Sequence, residues 1–179
     1  ALGAQTLDFD IVPAVGNFTV LGAAANAQTI NMASVPLSTS GTLTINTAST
    51  LNTNSLDVTI GGNLANNGTY NGTIGAGNTT TFNGAGAQAG ALSATSTFQN
   101  MTVNKLSGTV TLSGTSPTIT NLNILSGVLN VGPLDLSVIG NITNNSSQVN
   151  SPGGSISLAG GAGVTSQLIT CSGGAFGNL

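Results

Sequence analysis

The chain has 179 residues, enough for one domain with a core but too few for several large ones, and only 3% of them are charged. The charges are Asp8, Asp10, Asp57, Asp135 and Lys105, a net of −3, and His, Arg, Glu and Trp are absent. One cation cannot neutralise a phosphate backbone and no imidazole is present to act as a base, so the composition excludes nucleic-acid binding and argues against an enzyme, a cofactor or a metal centre.

Residues 1–40 form an N-terminal strand or cap region. In "TLDFDIV" the apolar Leu7, Phe9 and Ile11 alternate with Asp8 and Asp10, the period-two pattern of a strand with two unlike faces. This strand is a candidate for docking on the open edge of a neighbouring copy, where backbone bonds give affinity and alternate side chains fill pockets. The other reading is an ordinary first strand of the same chain. Asp8 and Asp10 share one strand face, but Ca²⁺ needs about six to eight oxygens and no Asp-rich loop accompanies them, so a solvated edge is expected. The chain opens on Ala, which leads us to expect a mature secreted protein freed of its leader.

Residues 41–179 read as a β-repeat domain. Short alternating runs follow one another: "TLTIN" (42–46), "LDVTI" (56–60), "TTTFN" (79–83), "NMTVN" (100–104), "GTVTLS" (108–113), "PTITNLNIL" (117–125), "VLNVG" (128–132) and "SISLAG" (155–160). Gly, Asn, Ser or Pro breaks nearly every gap, and helical spacing is not sustained anywhere. Leu51–Asn67 returns 78 residues later as Leu129–Asn145, matching Leu56 with Leu134, Asp57 with Asp135, Gly62 with Gly140, Asn63 with Asn141, Asn66 with Asn144 and Asn67 with Asn145. The copies divide the domain into about 43–121 and a truncated 122–179. This pattern predicts an all-β fold, a parallel β-helix or β-solenoid of short strands, in which Asn and Gly recur at corners. The alternative is a β-sandwich or jelly roll with an exchanged N-terminal strand.

Single residues add little chemistry. Cys171 has no partner in the chain and is expected to be a buried, inert thiol unless it pairs between chains. Lys105 is expected on a solvated turn, since isopeptide crosslinking would also want a buried acid. Sequons stand at Asn17, Asn67, Asn71, Asn78, Asn100, Asn141, Asn144 and Asn145, making these candidate N-glycosylation sites, although composition alone accounts for most of them. The Thr-x-Thr patterns do not recur at one fixed spacing, which argues against a Thr ladder. Asp57 and Asp135 would be the carboxylates of a polysaccharide-cleaving enzyme, but no Arg or Trp is present to grip a sugar. No run of 18 apolar residues exists to span a membrane as a helix.

At "IGGNLANNGTYNGT", "TTTFNGAGAQ" and "STFQNMTVNKLSGTVTLSG" the chain resembles the strand-repeat, β-solenoid regions of large secreted bacterial surface proteins and adhesins. The resemblance covers roughly 42–160 and rests on Gly62, Asn63, Asn66, Asn67, Phe82, Asn83, Gly84, Gly86, Gln88, Phe98, Asn100, Thr102, Val103 and Asn104. It implies an extracellular, β-helical, structural or adhesive role with no catalytic site to carry over. Few charges and few edge-blocking residues leave open strand edges that recruit further strands. The expected function is therefore the structural subunit of an extracellular filament or surface fibre that pairs end to end with copies of itself, with cell or environmental surfaces and glycans as further partners. The alternative is a monomeric adhesin or ice-binding β-solenoid module.

Overall fold

Runs of three to five alternating residues, broken by Gly, Asn or Ser, make strands too short to pair as hairpins of any depth, so the chain turns and sets each run against an equivalent run one turn away. The structure, a computed structural model, describes residues 5–7, 14–23, 25–73, 75–149 and 153–177, and every regular element among them is a strand.

The first rung carries β1 (Gln5–Leu7), β2 (Ala14–Val15) and β3 (Phe18–Val20), and the second β4 (Gln28–Met32), β5 (Leu37–Thr39) and β6 (Leu43–Ile45). The third has β7 (Ser49–Asn52), β8 (Val58–Ile60) and β9 (Leu64–Asn66), and the fourth β10 (Thr69–Gly72), β11 (Thr79–Phe82) and β12 (Gln88–Leu92). In the fifth and sixth rungs the corners are absorbed into long strands, β13 (Ser96–Gly114) and β14 (Thr118–Asn130). The seventh has β15 (Asp135–Val138), β16 (Ile142–Asn144) and β17 (Ser147–Val149), and the eighth β18 (Ser155–Leu158), β19 (Ile169–Cys171) and a bridge from Ala175 to Ser147.

Every named pairing joins strands in parallel one rung apart, which makes three faces. Face A runs β1, β4, β7, β10, the start of β13, the start of β14, β15 and β18. Face B runs β2, β5, β8, β11, the middle of β13 and β14, β16 and β19. Face C runs β3, β6, β9, β12, the ends of β13 and β14, and β17. This is a parallel β-solenoid of about seven turns; the sandwich alternative does not occur.

One apolar core runs up the inside. Val58 and Ile60 point into it while Thr59 points out, as the alternation requires, and Phe82, Val103 and Ile124 continue the column above Ile60. The rings of Tyr70 and Phe98 stack with centroids 5.1 Å apart. Gly72 is aligned with Phe98, and a Cβ there would come within 3.1 Å of Tyr70 Cε1 and 2.6 Å of the Thr97 carbonyl oxygen, so a larger residue would displace the ring. The Tyr70 hydroxyl hydrogen-bonds Thr80 Oγ1 at 2.6 Å inside the core, and burial pushes the phenol above its ordinary range.

The internal repeat does not return to the same face. Val58–Ile60 lies on face B, whereas its repeat partner Leu136–Val138 lies on face A; Leu64–Asn66 lies on face C and Ile142–Asn144 on face B. The second copy is thus rotated by one face. No described helix is long and apolar enough to cross a membrane.

Because Phe98 is fully buried with its ring packed on Tyr70, Phe98→Ala should lower the unfolding free energy by about 3–5 kcal/mol, as buried aromatic truncations do. Denaturant titration followed by far-UV circular dichroism measures this, and a loss below about 1 kcal/mol would show that the ring is not packed as described.

Candidate functional site

With the apolar residues turned inward, the outer wall consists of the alternate residues of each strand, stacked rung on rung by the register. On face B the outward column reads Ser38, Thr59, Thr81, Thr102, Asn123, Thr143 and Thr170. Two residues earlier along the strands, Thr79, Asn100 and Asn121 form a second column beside it. The Thr-x-Thr motifs form no common ladder, as expected: Thr79 and Thr81 lie on face B, Thr97 and Thr118 on face A, and Thr44, Thr109 and Thr111 on face C. The face B column is built mostly of other residues, which the strand register aligns although the corners differ in length.

Face A carries Thr6, Asn31, Asn52, Asn71, Thr97, Thr118, Ser137 and Ser157 in one column. Its side chains bond one another: Asn52 Nδ2 donates to Asn31 Oδ1 at 2.7 Å, and Thr97 Oγ1 donates to Asn71 Oδ1 at 3.3 Å. Face C is less polar, with Thr19, Thr44, Ala65, Ala91 and Ser113 in line.

The corners are closed by amide side chains, and here the sequence repeat becomes physical. Gln88 Nε2 donates to the carbonyl oxygens of Ile60, at 2.9 Å, and Gly62, while Asn63 Oδ1 accepts the Ala89 N–H at 2.8 Å. In the second copy Gln167 Nε2 donates to the carbonyls of Val138 at 3.0 Å and Gly140 at 2.8 Å, and Asn141 Oδ1 accepts the Leu168 N–H at 2.9 Å. Asn66 and Asn144 also match, each accepting a backbone N–H two residues on at 3.1 Å. Gly62 is required at such a corner, since a Cβ would lie 2.3 Å from the Gly41 carbonyl carbon of the rung below. The repeated unit is therefore a corner that bonds backbone groups turned away from the ladder. Gln88 and Gln167 were not singled out as repeat partners in the sequence, where the loop lengths before them differ.

Lys105 corrects another expectation. It is fully buried, not on a solvated turn. Its Nζ donates to the Gly84 carbonyl oxygen and, at 2.5 Å, to Gln88 Oε1, which also accepts the Gly84 N–H at 3.0 Å. These described partners are neutral, and desolvation pushes the ammonium below the ordinary lysine range. Leu106 beside it is 95% exposed, in the stretch where β13 carries extra residues relative to β14.

Cys171, expected to be buried, is exposed, with its thiol donating to the Gly174 carbonyl at 3.0 Å. It lies on β19, the last described strand of face B, which pairs with β16. Of the candidate docking strand, Gln5–Leu7 pairs with β4 of its own chain; Phe9 and Ile11, with Asp8 and Asp10, lie outside the described residues. Among the sequons, Asn17, Asn67, Asn141 and Asn145 are exposed and Asn71 and Asn100 half-buried. Asn78 and Asn144 are buried and spend their Nδ2 atoms on Thr53 Oγ1 and the Ala175 carbonyl, so a glycan cannot be seated on either in the folded chain. Asp57 precedes β8 on the third rung and accepts the Thr79 N–H at 2.7 Å, while Asp135 opens β15 on the seventh rung and accepts from Ser155 Oγ at 2.5 Å. The two carboxylates stand on different faces and do not meet.

Among the described residues there is no pocket and no cluster of three or more His, Cys, Asp or Glu side chains. The candidate site is instead the wall itself, with its stacked columns, together with the strand edges of the end rungs. No family model matches the chain, and neither curated proteins nor solved structures match it. The class defined by the fold is a parallel β-solenoid with a neutral hydroxyl- and amide-bearing surface.

Gln88→Leu leaves the Ile60 and Gly62 carbonyls and the Lys105 ammonium short of a partner and should cost about 2–5 kcal/mol in denaturant titrations. A pH titration of stability should separate two buried groups. The Lys105 pKa is lowered on folding from 10.5, so the unfolded chain binds more protons below that value and stability should rise as pH climbs towards it. The Tyr70 pKa is raised from 10.0, so above that pH the folded chain holds the extra proton and stability should fall. Melting temperature measured against pH should therefore peak near pH 10, and Lys105→Met should remove the rising limb alone.

Proposed function

We propose that the chain is a structural segment of an extracellular filament or surface fibre, serving adhesion or matrix formation, in which copies stack end to end by continuing the parallel ladder. The observation that carries this reading is the unbroken parallel ladder, in which every rung is bonded along the solenoid axis to an equivalent rung and a rung from another copy could continue the same register. Among the described residues β18 and β19 pair only downward, with β15 and β16, and β1, β2 and β3 pair only upward, with β4, β5 and β6. Such edges template a further strand unless blocked by Lys, Pro or a bulge. The described strands of the two end rungs contain none of these blocking side chains.

The end rung also leaves apolar surface open. Leu158 is 41% and Leu168 62% exposed, and Ile169 and Phe176 are only partly covered where they pack on the core. A rung stacked above would bury them. A head-to-tail contact between unlike ends does not close on itself, so it propagates into an open polymer. With a net charge of −3, repulsion between copies is weak at physiological salt. Because Leu7 already lies in the ladder of its own chain, docking in this reading extends the first rung and does not require exchange of that strand. An extracellular setting and glycans at Asn67, Asn141 or Asn145 belong to the same proposal, supported by the resemblance to secreted surface proteins and by the exposure of these side chains. A monomeric adhesin made of one such solenoid is the competing reading.

Concentrated protein examined by negative-stain microscopy should form unbranched fibres one solenoid wide. Leu158→Lys with Leu168→Lys, which places two cations beside the open edge, should leave monomers of unchanged circular dichroism. Compact monomers of the parent chain at high concentration would contradict the proposal.

A further inference from the structure

We infer that face B is a water-ordering surface that adsorbs to ice. Seven consecutive rungs contribute Ser38, Thr59, Thr81, Thr102, Asn123, Thr143 and Thr170 to one straight column. Parallel strands stand about 4.8 Å apart, so the column extends roughly 29 Å with one short polar side chain per rung. A flanking column of Thr79, Asn100 and Asn121 lies two residues away along each strand, about 6.7 Å, over the central rungs.

Most hydroxyls of this column are unspent. Among the described residues Ser38, Thr59, Thr81, Thr143 and Thr170 engage no protein partner through their side chains, and only Thr102 accepts one, from Asn123 Nδ2 at 3.4 Å. On face A much of the polar surface is satisfied internally, Asn31 by Asn52, Asn71 by Thr97 and Thr69 by Thr95, and so are the asparagines flanking the face B column, Asn121 Nδ2 donating to Asn100 Oδ1 and Asn100 Nδ2 to the Asn78 carbonyl, both at 2.9 Å. Threonine is stiff at χ1 because it is branched at Cβ, so Thr59, Thr81, Thr143 and Thr170 present a hydroxyl and a methyl with little rotational freedom, while Thr102 in the middle of the column is buried. Water bonded to such a row is held at the inter-rung period.

A ligand for this surface must be uncharged and must itself repeat at that period. Ice fits both conditions, since equivalent oxygens of its lattice repeat at close to the rung spacing and its surface is neutral. A sugar polymer is disfavoured on chemical grounds, because Tyr70, Phe82 and Phe98 are buried and face B offers no aromatic ring for a sugar to stack on. The inference does not depend on filament formation.

The test is the fraction of protein taken into a slowly advancing ice front, together with inhibition of ice recrystallisation. The parent chain should enter the ice and keep crystals small. Thr59→Lys with Thr81→Lys should lose both activities, while Thr44→Lys on face C should retain them, with far-UV circular dichroism and melting confirming the fold. Should the lysine pair unfold, Thr59→Val with Thr81→Val keeps the branched shape and removes only the hydroxyls, and it should weaken both activities. Exclusion of the folded parent chain from the ice, or equal behaviour of the parent, face B and face C variants, would overturn the inference. Retention on crystalline cellulose or chitin without ice activity would overturn it as well. Fibres seen by microscopy in a sample lacking ice activity would leave the filament proposal standing and remove this one alone.

Discussion

The structure depends on one constraint: the backbone N–H and C=O groups of each strand point along the solenoid axis, so a rung can be satisfied only by its neighbours. Within one rung the three strands face different ways and cannot pair. Each rung also encloses too little apolar surface to offset the entropy of ordering its own backbone. Stacking supplies both the hydrogen bonds and the shared core, which makes stability approximately a sum of rung and interface terms. The middle rungs, built from β13 and β14, are bonded on both sides along all three faces, and among the described residues the first and last rungs are bonded on one side.

The corners solve a second problem. Where the chain turns, its backbone groups leave the ladder, and burying them unpaired would cost a few kcal/mol each. Gln88, Gln167, Asn63 and Asn141 supply the missing partners through their amides, which both donate and accept. These fixed corners let loops of different length be inserted while the strands stay in register. Lys105 extends the same device with an ammonium, its charge dispersed over carbonyl oxygens without a carboxylate among its described partners.

Much of the fold was legible in the sequence, because alternation is a direct record of which side chains face the core. Val58, Thr59 and Ile60 show it in three residues, and the repeated Gly and Asn positions marked true corners. Other features were hidden because they depend on residues far apart in the chain. Lys105 meets Gln88 across 17 positions, and nothing in "VNKLSG" says that the lysine turns inward. The Thr column of face B was concealed by unequal corners, since Thr59 and Thr81 are 22 residues apart but Thr143 and Thr170 are 27 apart. The rotation of the second repeat by one face was equally invisible, because a repeat in sequence fixes which corners are alike and not how many corners intervene. Cys171 reads as a core thiol by composition, yet it is exposed on the last described strand of face B.

The same axial bonding links architecture to the proposed role. A ladder that continues through the chain has no internal reason to stop, and any rung with an unpaired edge would be stabilised by another, which is the basis of the proposed stacking. The central claim is thus that protection comes from having neighbours above and below. Hydrogen–deuterium exchange resolved by rung measures this directly. In the unassembled chain, amides of β13 and β14 should exchange slowest and those of β18 and β19 fastest, and on assembly the end strands should approach the protection of the middle. Equal protection of end and middle strands in the isolated chain would contradict the account.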